Sequence, residues 1–294
     1  MKKIAIAGGT GFIGTYLVKR FREMDYEVVF ISRHSLYKSS TENQLSAILE
    51  GAEALINLAG KTINCRHTKS NKKEILSSRI DSTRSLGRAV LACKTPPKVW
   101  INASAAGIYK PSITNTATEK ETEFGTDFLA LVVKQWEKSF FDFQFTTTRQ
   151  IALRTSVVLG KNGGALKPLV LLTKLMLGGK QGDGQQLISW IHIEDYFQQI
   201  LFILEQSTIS GVVNISAPYP IKNEDFMQSL RQTLNIGIGI PAPRFAINAG
   251  AFIIGTEASL ILNSVNIAPQ KLLDAGYKFH FPTVDSALAN LLVK

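Results

Sequence analysis

Apolar and polar positions alternate along the chain in two periods. Ile4 to Ala7 is a short apolar run that predicts a buried strand, and from Phe12 to Met24 apolar residues recur at Phe12, Ile13, Tyr16, Leu17 and Phe21, the spacing of one helical face. Glu27 to Ile31 predicts a second strand, Thr41 to Glu50 a helix and Ala54 to Leu58 a third strand. A long amphipathic helix from about Asn71 to Cys93 comes next, and after Pro96 and Pro97 a strand from Lys98 to Ala103. Gly107 to Thr126 is a polar loop. Helical periodicity resumes over Phe128 to Phe141, followed by a strand from Arg149 to Leu159, a Gly163-Gly164 turn and a helix from about Ala165 to Leu177. Gly178 to Gly184 reads as a flexible surface connection rather than a phosphate cradle, because no helix starts right after it. Leu187 to Ile191 and Val212 to Ile215 predict short strands, with helices near Ile193 to Glu205 and Asn223 to Leu234. The tail, Pro241 to Lys294, holds helical patterns broken by Pro269 and Pro282.

Strands alternating with helices require a parallel sheet, because parallel neighbours need crossover connections, and those crossovers are right-handed. The turn between the first strand and helix carries Gly8, Gly11 and Gly14, with Phe12 and Ile13 at the helix start. Each glycine has its own task in a dinucleotide-binding turn: one permits the tight turn, one the approach of a pyrophosphate, one the close packing of helix on sheet. The expected fold is α/β, a Rossmann doubly wound parallel sheet with a smaller C-terminal substrate lobe. Residues 1–240 are assigned to the NAD(P)-binding domain, with lobe segments from about 160 onward, and 241–294 to a short C-terminal helical domain.

With 294 residues, 45% of them hydrophobic, the chain can bury a full core. No apolar run approaches the roughly 18 to 20 residues of a membrane span, and the residues after Lys2 and Lys3 are too few for a signal peptide. A cytoplasmic protein with no membrane partner is expected. Cys65 and Cys93 have no metal-ligand spacing, so no metal site is expected. The net charge of +10 concentrates between Lys61 and Arg79, which hold Arg66, His67, Lys69, Lys72 and Lys73. That stretch reads as a solvated loop and helix face, the alternative being attraction of a phosphorylated cofactor or substrate. No aromatic residues interleave with the charges, so nucleic acid is not an expected partner. The sequence leaves the oligomeric state open.

The second strand bears on the choice of cofactor. It ends Ile31-Ser32-Arg33-His34 and carries no Asp or Glu to accept the ribose hydroxyls. Arg33 can pair bidentately with a 2′-phosphate and Ser32 can donate a hydrogen bond to it, which favours NADP(H) and leaves NAD(H) as the alternative.

Gly8-x-x-Gly11-x-x-Gly14, Asn57-Leu-Ala-Gly60 and Ala103-Ser104-Ala-Ala-Gly-Ile-Tyr109 together resemble the signatures of an extended short-chain dehydrogenase/reductase, of the NAD-dependent epimerase/dehydratase group. Leu153-Arg-Thr-Ser-Val-Val-Leu-Gly160, Gly163-Gly-Ala-Leu166, Ser189-Trp-Ile-His-Ile-Glu-Asp195 and the tail from Pro269 to Pro282 resemble an atypical, sugar-nucleotide epimerase-like subfamily with a short C-terminal domain of no assigned function. The resemblance implies cofactor contacts at Leu58, Ala59 and Gly60 and an active-site hydroxyl at Ser104. It also implies a Tyr-x-x-x-Lys pair on the helix after the serine strand, where the cation lowers the phenol pKa so that it can exchange a proton. Here that helix reads Phe128-Leu-Ala-Leu-Val-Val-Lys-Gln-Trp-Glu137 and contains no Tyr. If Glu137 matches the glutamate that follows the pair, Leu129 and Val133 stand in its place, and Lys134 is turned about 100° away.

Tyr109, near the mouth of the expected cleft, is the candidate replacement acid, the alternative being that it packs against cofactor or substrate. Lys110 and Pro111 stand where the group has Gly after the Tyr. His192 reads as part of a strand-to-helix junction capped near Asp195, and Arg79 and Arg154 read as structural or phosphate-positioning residues, since Arg does not titrate near neutrality. The expectation is an NADP(H)-binding oxidoreductase or epimerase-like enzyme for a small substrate, nucleotide-linked ones included. The rival is a non-catalytic NADP(H)-binding sensor or regulatory protein.

Overall fold

A computed structural model describes residues 1–37 and 42–293. Strand β1 (Lys3–Ala7) leads into helix α1 (Phe12–Glu23), and β2 (Glu27–Ile31) into a short helix, α2 (Arg33–Tyr37), that the hydrophobic pattern does not announce. Ser32 is its cause: the hydroxyl accepts the Ser35 amide at 3.1 Å and caps the helix. Helix α3 (Glu42–Leu49), strand β3 (Ala54–Asn57), helix α4 (Lys69–Ala92), strand β4 (Val99–Ala105) and helix α5 (Phe128–Phe141) follow. Thr41, the expected start of α3, lies outside the described residues.

The expected strand over Arg149 to Leu159 is two strands, β5 (Arg149–Thr155) and β6 (Val157–Gly160). The backbone changes partner across Ser156, whose amide donates to Ile215 at 3.0 Å, while that of Val157 donates to Ser189 at 3.1 Å. The expected Gly163-Gly164 turn is itself a two-residue strand, β7, antiparallel to β6. Helix α6 (Leu166–Lys174) stops short of Leu177, and Met176 takes a left-handed backbone with φ 61°. The expected Leu187–Ile191 strand likewise divides, into β8 (Leu187–Ile188) and β9 (Trp190–His192). Next come α7 (Ile193–Glu205), β10 (Gly211–Ile215), β11 (Ile221–Lys222), α8 (Asn223–Thr233), α9 (Arg244–Ile254), α10 (Ser259–Leu262), α11 (Gln270–Asp274) and α12 (Val284–Leu292).

Six strands form one sheet in the order β2-β1-β3-β4-β5-β10, and every neighbouring pair is parallel. This is a Rossmann-like, doubly wound sheet, with strand order reversing between β1 and β3. Side chains alternate across the sheet: Ile4 and Ile6 pack with α1 and α7 on one face, Ala5 and Ala7 with α2 to α5 on the other. Two small sheets, β7-β6-β9 and β11-β8, belong to the lobe, whose core joins Leu159, Trp190, Phe226 and Leu230 to Val284, Leu288 and Leu291 of α12.

Two sequence readings change here. The Gly178–Gly184 segment is pinned rather than free: Gly179 donates to Ile240 at 3.1 Å, Ala242 to Lys180 at 2.9 Å and Gly182 to Ala242 at 2.8 Å. The cap of α7 is His192, whose Nδ1 accepts the Glu194 amide at 3.0 Å, not Asp195. Asp195 instead accepts the Tyr277 hydroxyl at 2.9 Å and the amides of His280 and Phe281 at 3.0 and 2.8 Å, tying the C-terminal segment to α7. Among the described residues no helix is long and apolar enough to cross a membrane.

Candidate functional site

In an open parallel sheet the crevice outside the strand ends, at the point where strand order reverses, is the natural place for a ligand. Here two loops meet at that point. Gly8 has φ 80°, and a Cβ on it would stand 2.7 Å from the backbone carbon of Leu58, so only glycine fits both the backbone and the neighbour. A Cβ on Gly14 would fall 2.2 Å from the Gly8 carbonyl oxygen, which lets α1 start hard against the turn. Gly11 closes the turn by donating to Gly8 at 3.1 Å and caps α1 with no side-chain bond, and the first turn of α1 holds no acid. The amides at Phe12 and Ile13 therefore open an N-terminus suited to an anion.

Across the crevice, Asn57 shapes the exit of β3. Its Oδ1 accepts the Ala59 amide at 3.0 Å, and its Nδ2 donates to Asn102 at 2.7 Å, so Leu58, Ala59 and Gly60 leave the sheet in a fixed direction. The Phe12 ring fills a second glycine cradle: a Cβ on Gly160, Gly163 or Gly164 would come within 2.7, 2.5 or 2.8 Å of it. At the end of β2, Ser32 and Arg33 are both exposed, and among the described residues Arg33 makes no ion pair. Tyr37 donates to the Ser78 carbonyl at 2.9 Å, which holds α2 against α4.

Ser104 and Tyr109 come together in one buried network, around a pair that the sequence pattern does not mark as part of the site. Ser104 Oγ donates to Glu137 Oε1 at 2.6 Å, and Arg154 grips the same carboxylate with Nε at 2.9 Å and Nη2 at 2.8 Å. Arg154 Nη1 donates to the Tyr109 hydroxyl at 2.9 Å, and that hydroxyl donates in turn to Asn214 Oδ1 at 2.7 Å. Asn214 Nδ2 reaches the Ala268 carbonyl at 2.9 Å, and the Asn214 amide donates to Glu119 at 3.0 Å. Burial pushes the Tyr109 phenol up from its ordinary pKa, against the pull of the Arg154 charge beside it, so the hydroxyl keeps its proton at neutrality. A signal for Asn214 did exist: it is the polar residue inside the otherwise apolar strand β10.

The model of the NAD dependent epimerase/dehydratase family matches residues 4–216, and that of a domain of unknown function, DUF1731, matches residues 242–291. The chain belongs to the NAD dependent epimerase/dehydratase family. An epimerase family protein of Staphylococcus aureus (strain bovine RF122 / ET3-1) is 32% identical over 305 residues, covering 100% of both chains. The crystal structure of human epimerase family protein SDR39U1 (isoform2) with NADPH superposes with a TM-score of 0.88 at 32% identity, over 98% of each chain. A nucleoside-diphosphate sugar epimerase of Corynebacterium glutamicum gives 0.79 at 29% identity, over 99% of this chain and 58% of that one.

On α5 nothing stands in for the Tyr-x-x-x-Lys pair that the resemblance implies. Val133, which takes the lysine's place if Glu137 matches the glutamate after the pair, is buried with Ala106, Ile108, Tyr109 and Ile267 in a small apolar cluster. Lys134 does not substitute for it, because its Nζ donates to the Gly125 carbonyl at 2.8 Å. The basic stretch is partly spent within the fold: Lys61 pairs with Glu74, and Arg66 donates to the Phe252 carbonyl and lies 4.1 Å from that ring. A cavity of about 370 Å³ opens there between Arg66, His67 and α9, lined by no residue of the glycine turn or of the Tyr109 network.

Proposed function

We propose that this epimerase-family member is an NADP(H)-binding oxidoreductase or epimerase-like enzyme for a small substrate, sugar-nucleotide-like ones included, working without the Tyr-x-x-x-Lys pair. The observation that carries the reading is the crevice between β1 and β3, where the tight glycine turn and the uncapped α1 meet. Ser32 and Arg33, at the end of a strand with no acid, support the phosphorylated form of the cofactor, as does the NADPH in the human SDR39U1 structure. Leu58, Ala59 and Gly60 form the opposite wall. When bound, a nicotinamide ring supplies a hydride that it can give and take back. In this reading Tyr109 is the proton donor, and Ser104 positions Arg154 through Glu137. Two free cysteines, Cys65 and Cys93, suit a cytoplasmic setting.

A thermal-shift titration with NADPH and NADH tests the cofactor. NADPH stabilises the chain more strongly, and Arg33→Ala removes the difference; equal stabilisation by both nucleotides overturns the assignment of Arg33. Tyr109→Phe keeps NADPH binding and abolishes turnover, and unchanged turnover removes Tyr109 from the chemistry. One observation favours the second reading, a non-catalytic NADP(H) sensor or regulatory protein: the Ser104 and Tyr109 hydroxyls are both engaged by protein partners. NADPH binding with no oxidation in the presence of any carbonyl or sugar-nucleotide substrate selects it.

A further inference from the structure

Among the described residues Arg79 is a cation without a counter-ion. An arginine drawn into the fold keeps its charge and is ordinarily matched by a carboxylate. Arg79 Nη1 donates to the carbonyls of Ile75 and Lys61 at 2.9 and 3.0 Å, and the guanidinium lies 5.1 Å from the Trp136 ring. Trp136 is itself held by its Nε1 bond to Thr83 at 3.0 Å. Among the described residues no carboxylate lies within ion-pair distance of Arg79, and neither Nε nor Nη2 has a protein acceptor. Burial brings the Arg79 pKa down to about 10, and the group remains charged at neutrality.

Its place in the fold says what the free nitrogens face. A Cβ on Gly60 would stand 3.4 Å from Arg79 Cγ and Cζ, so the guanidinium lies directly against the exit loop of β3. Two residues earlier, Leu58 touches the glycine turn. The guanidinium therefore stands on the β3 wall of the crevice, with the open N-terminus of α1 on the other wall. That helix end offers a partial charge of about +0.5, whereas Arg79 offers a full charge already oriented by two carbonyls and an indole.

We propose that Arg79 binds the pyrophosphate of the dinucleotide, pairing Nε and Nη2 with its oxygens across from the first turn of α1. This rests on the reading of the crevice as a cofactor site. The 2′-phosphate is assigned to Arg33 at the end of β2, whereas the Arg79 guanidinium is held at the exit of β3, by the Lys61 carbonyl and against Gly60. Bringing a phosphate to Arg79 satisfies two donors and neutralises a desolvated charge in one step.

Fluorescence titrations of NADPH and NADH into the wild type, Arg79→Gln, Arg79→Lys and Arg33→Ala, each at several salt concentrations, test the assignment. Arg79→Gln weakens both nucleotides by the same factor, about 10- to 100-fold, and flattens the salt dependence of Kd. Arg79→Lys recovers part of the loss, because it restores the charge without the planar fork. Arg33→Ala weakens NADPH alone. Unchanged binding by Arg79→Gln, or a lower melting temperature with the same salt dependence, overturns the role of Arg79 and leaves the cofactor site standing. Loss of NADPH affinity alone overturns the pyrophosphate in favour of the 2′-phosphate. Failure of the wild type to bind either nucleotide overturns the cofactor reading itself.

Discussion

At the scale of single residues, His192 shows how a residue that invites a catalytic story is held by structure. Its Nδ1 accepts the Glu194 amide, and its ring lies 3.9 Å from that of Phe281. Burial lowers its pKa from 6.5 to about 4. The unfolded chain takes up this proton near pH 6.5 and the folded chain only near pH 4, so acid favours unfolding between those values. The stabilisation is full above pH 6.5 and falls away as the pH drops towards 4, by on the order of 3 kcal/mol. His192→Asn keeps an acceptor for the cap and flattens this slope, which urea midpoints at pH 7 and pH 4.5 measure. Parallel losses in wild type and variant would remove His192 as the cause. The glycine turn was legible in sequence because its three glycines and the strand and helix that flank it lie in one short stretch of chain. The partners of Tyr109 were not, since Arg154 and Asn214 arrive from strands 45 and 105 residues later.

Helix α5 and strand β5 are joined by a pair that neither announces alone. Glu137 and Arg154 meet through two hydrogen bonds in a buried setting, and Ser104 on β4 completes the carboxylate's shell. Glu137→Ala leaves the guanidinium buried and unmatched, at an expected cost of about 3–5 kcal/mol, read as a fall in urea midpoint. Glu137→Gln keeps an acceptor and costs less; equal losses for the two would mean that charge plays no part. Helix starts such as Phe128 and Ile193 were legible because the apolar period begins there. The break at Ser156 was not: the Val-Val-Leu run continues past it with no turn residue, and the partners Ile215 and Ser189, distant in sequence, decide where one strand ends and the next begins.

Across the whole molecule the C-terminal segment is a structural part of the site. Ile267 packs on Tyr109 and Val133, Ala268 holds Asn214, and Asp195 anchors the chain at Tyr277, His280 and Phe281. Asp195→Ala strands one hydroxyl and two amides, so it lowers the melting temperature and speeds limited proteolysis beyond residue 268. Cleavage at the wild-type rate would show that the anchor is elsewhere. The alternation of the chain predicted the layered sheet, but the clasp between Asp195 and the tail depends on a fold already formed. The Phe12 ring, seated among Gly160, Gly163 and Gly164, has a thermodynamic corollary. The ring begins the helix of the glycine turn and packs against the lobe hairpin, so a shift of either element disturbs the packing of the other. Any tightening that lobe closure confers on a ligand at the turn must be returned in equal measure to whatever binds the lobe, so the two affinities form a single reciprocal quantity.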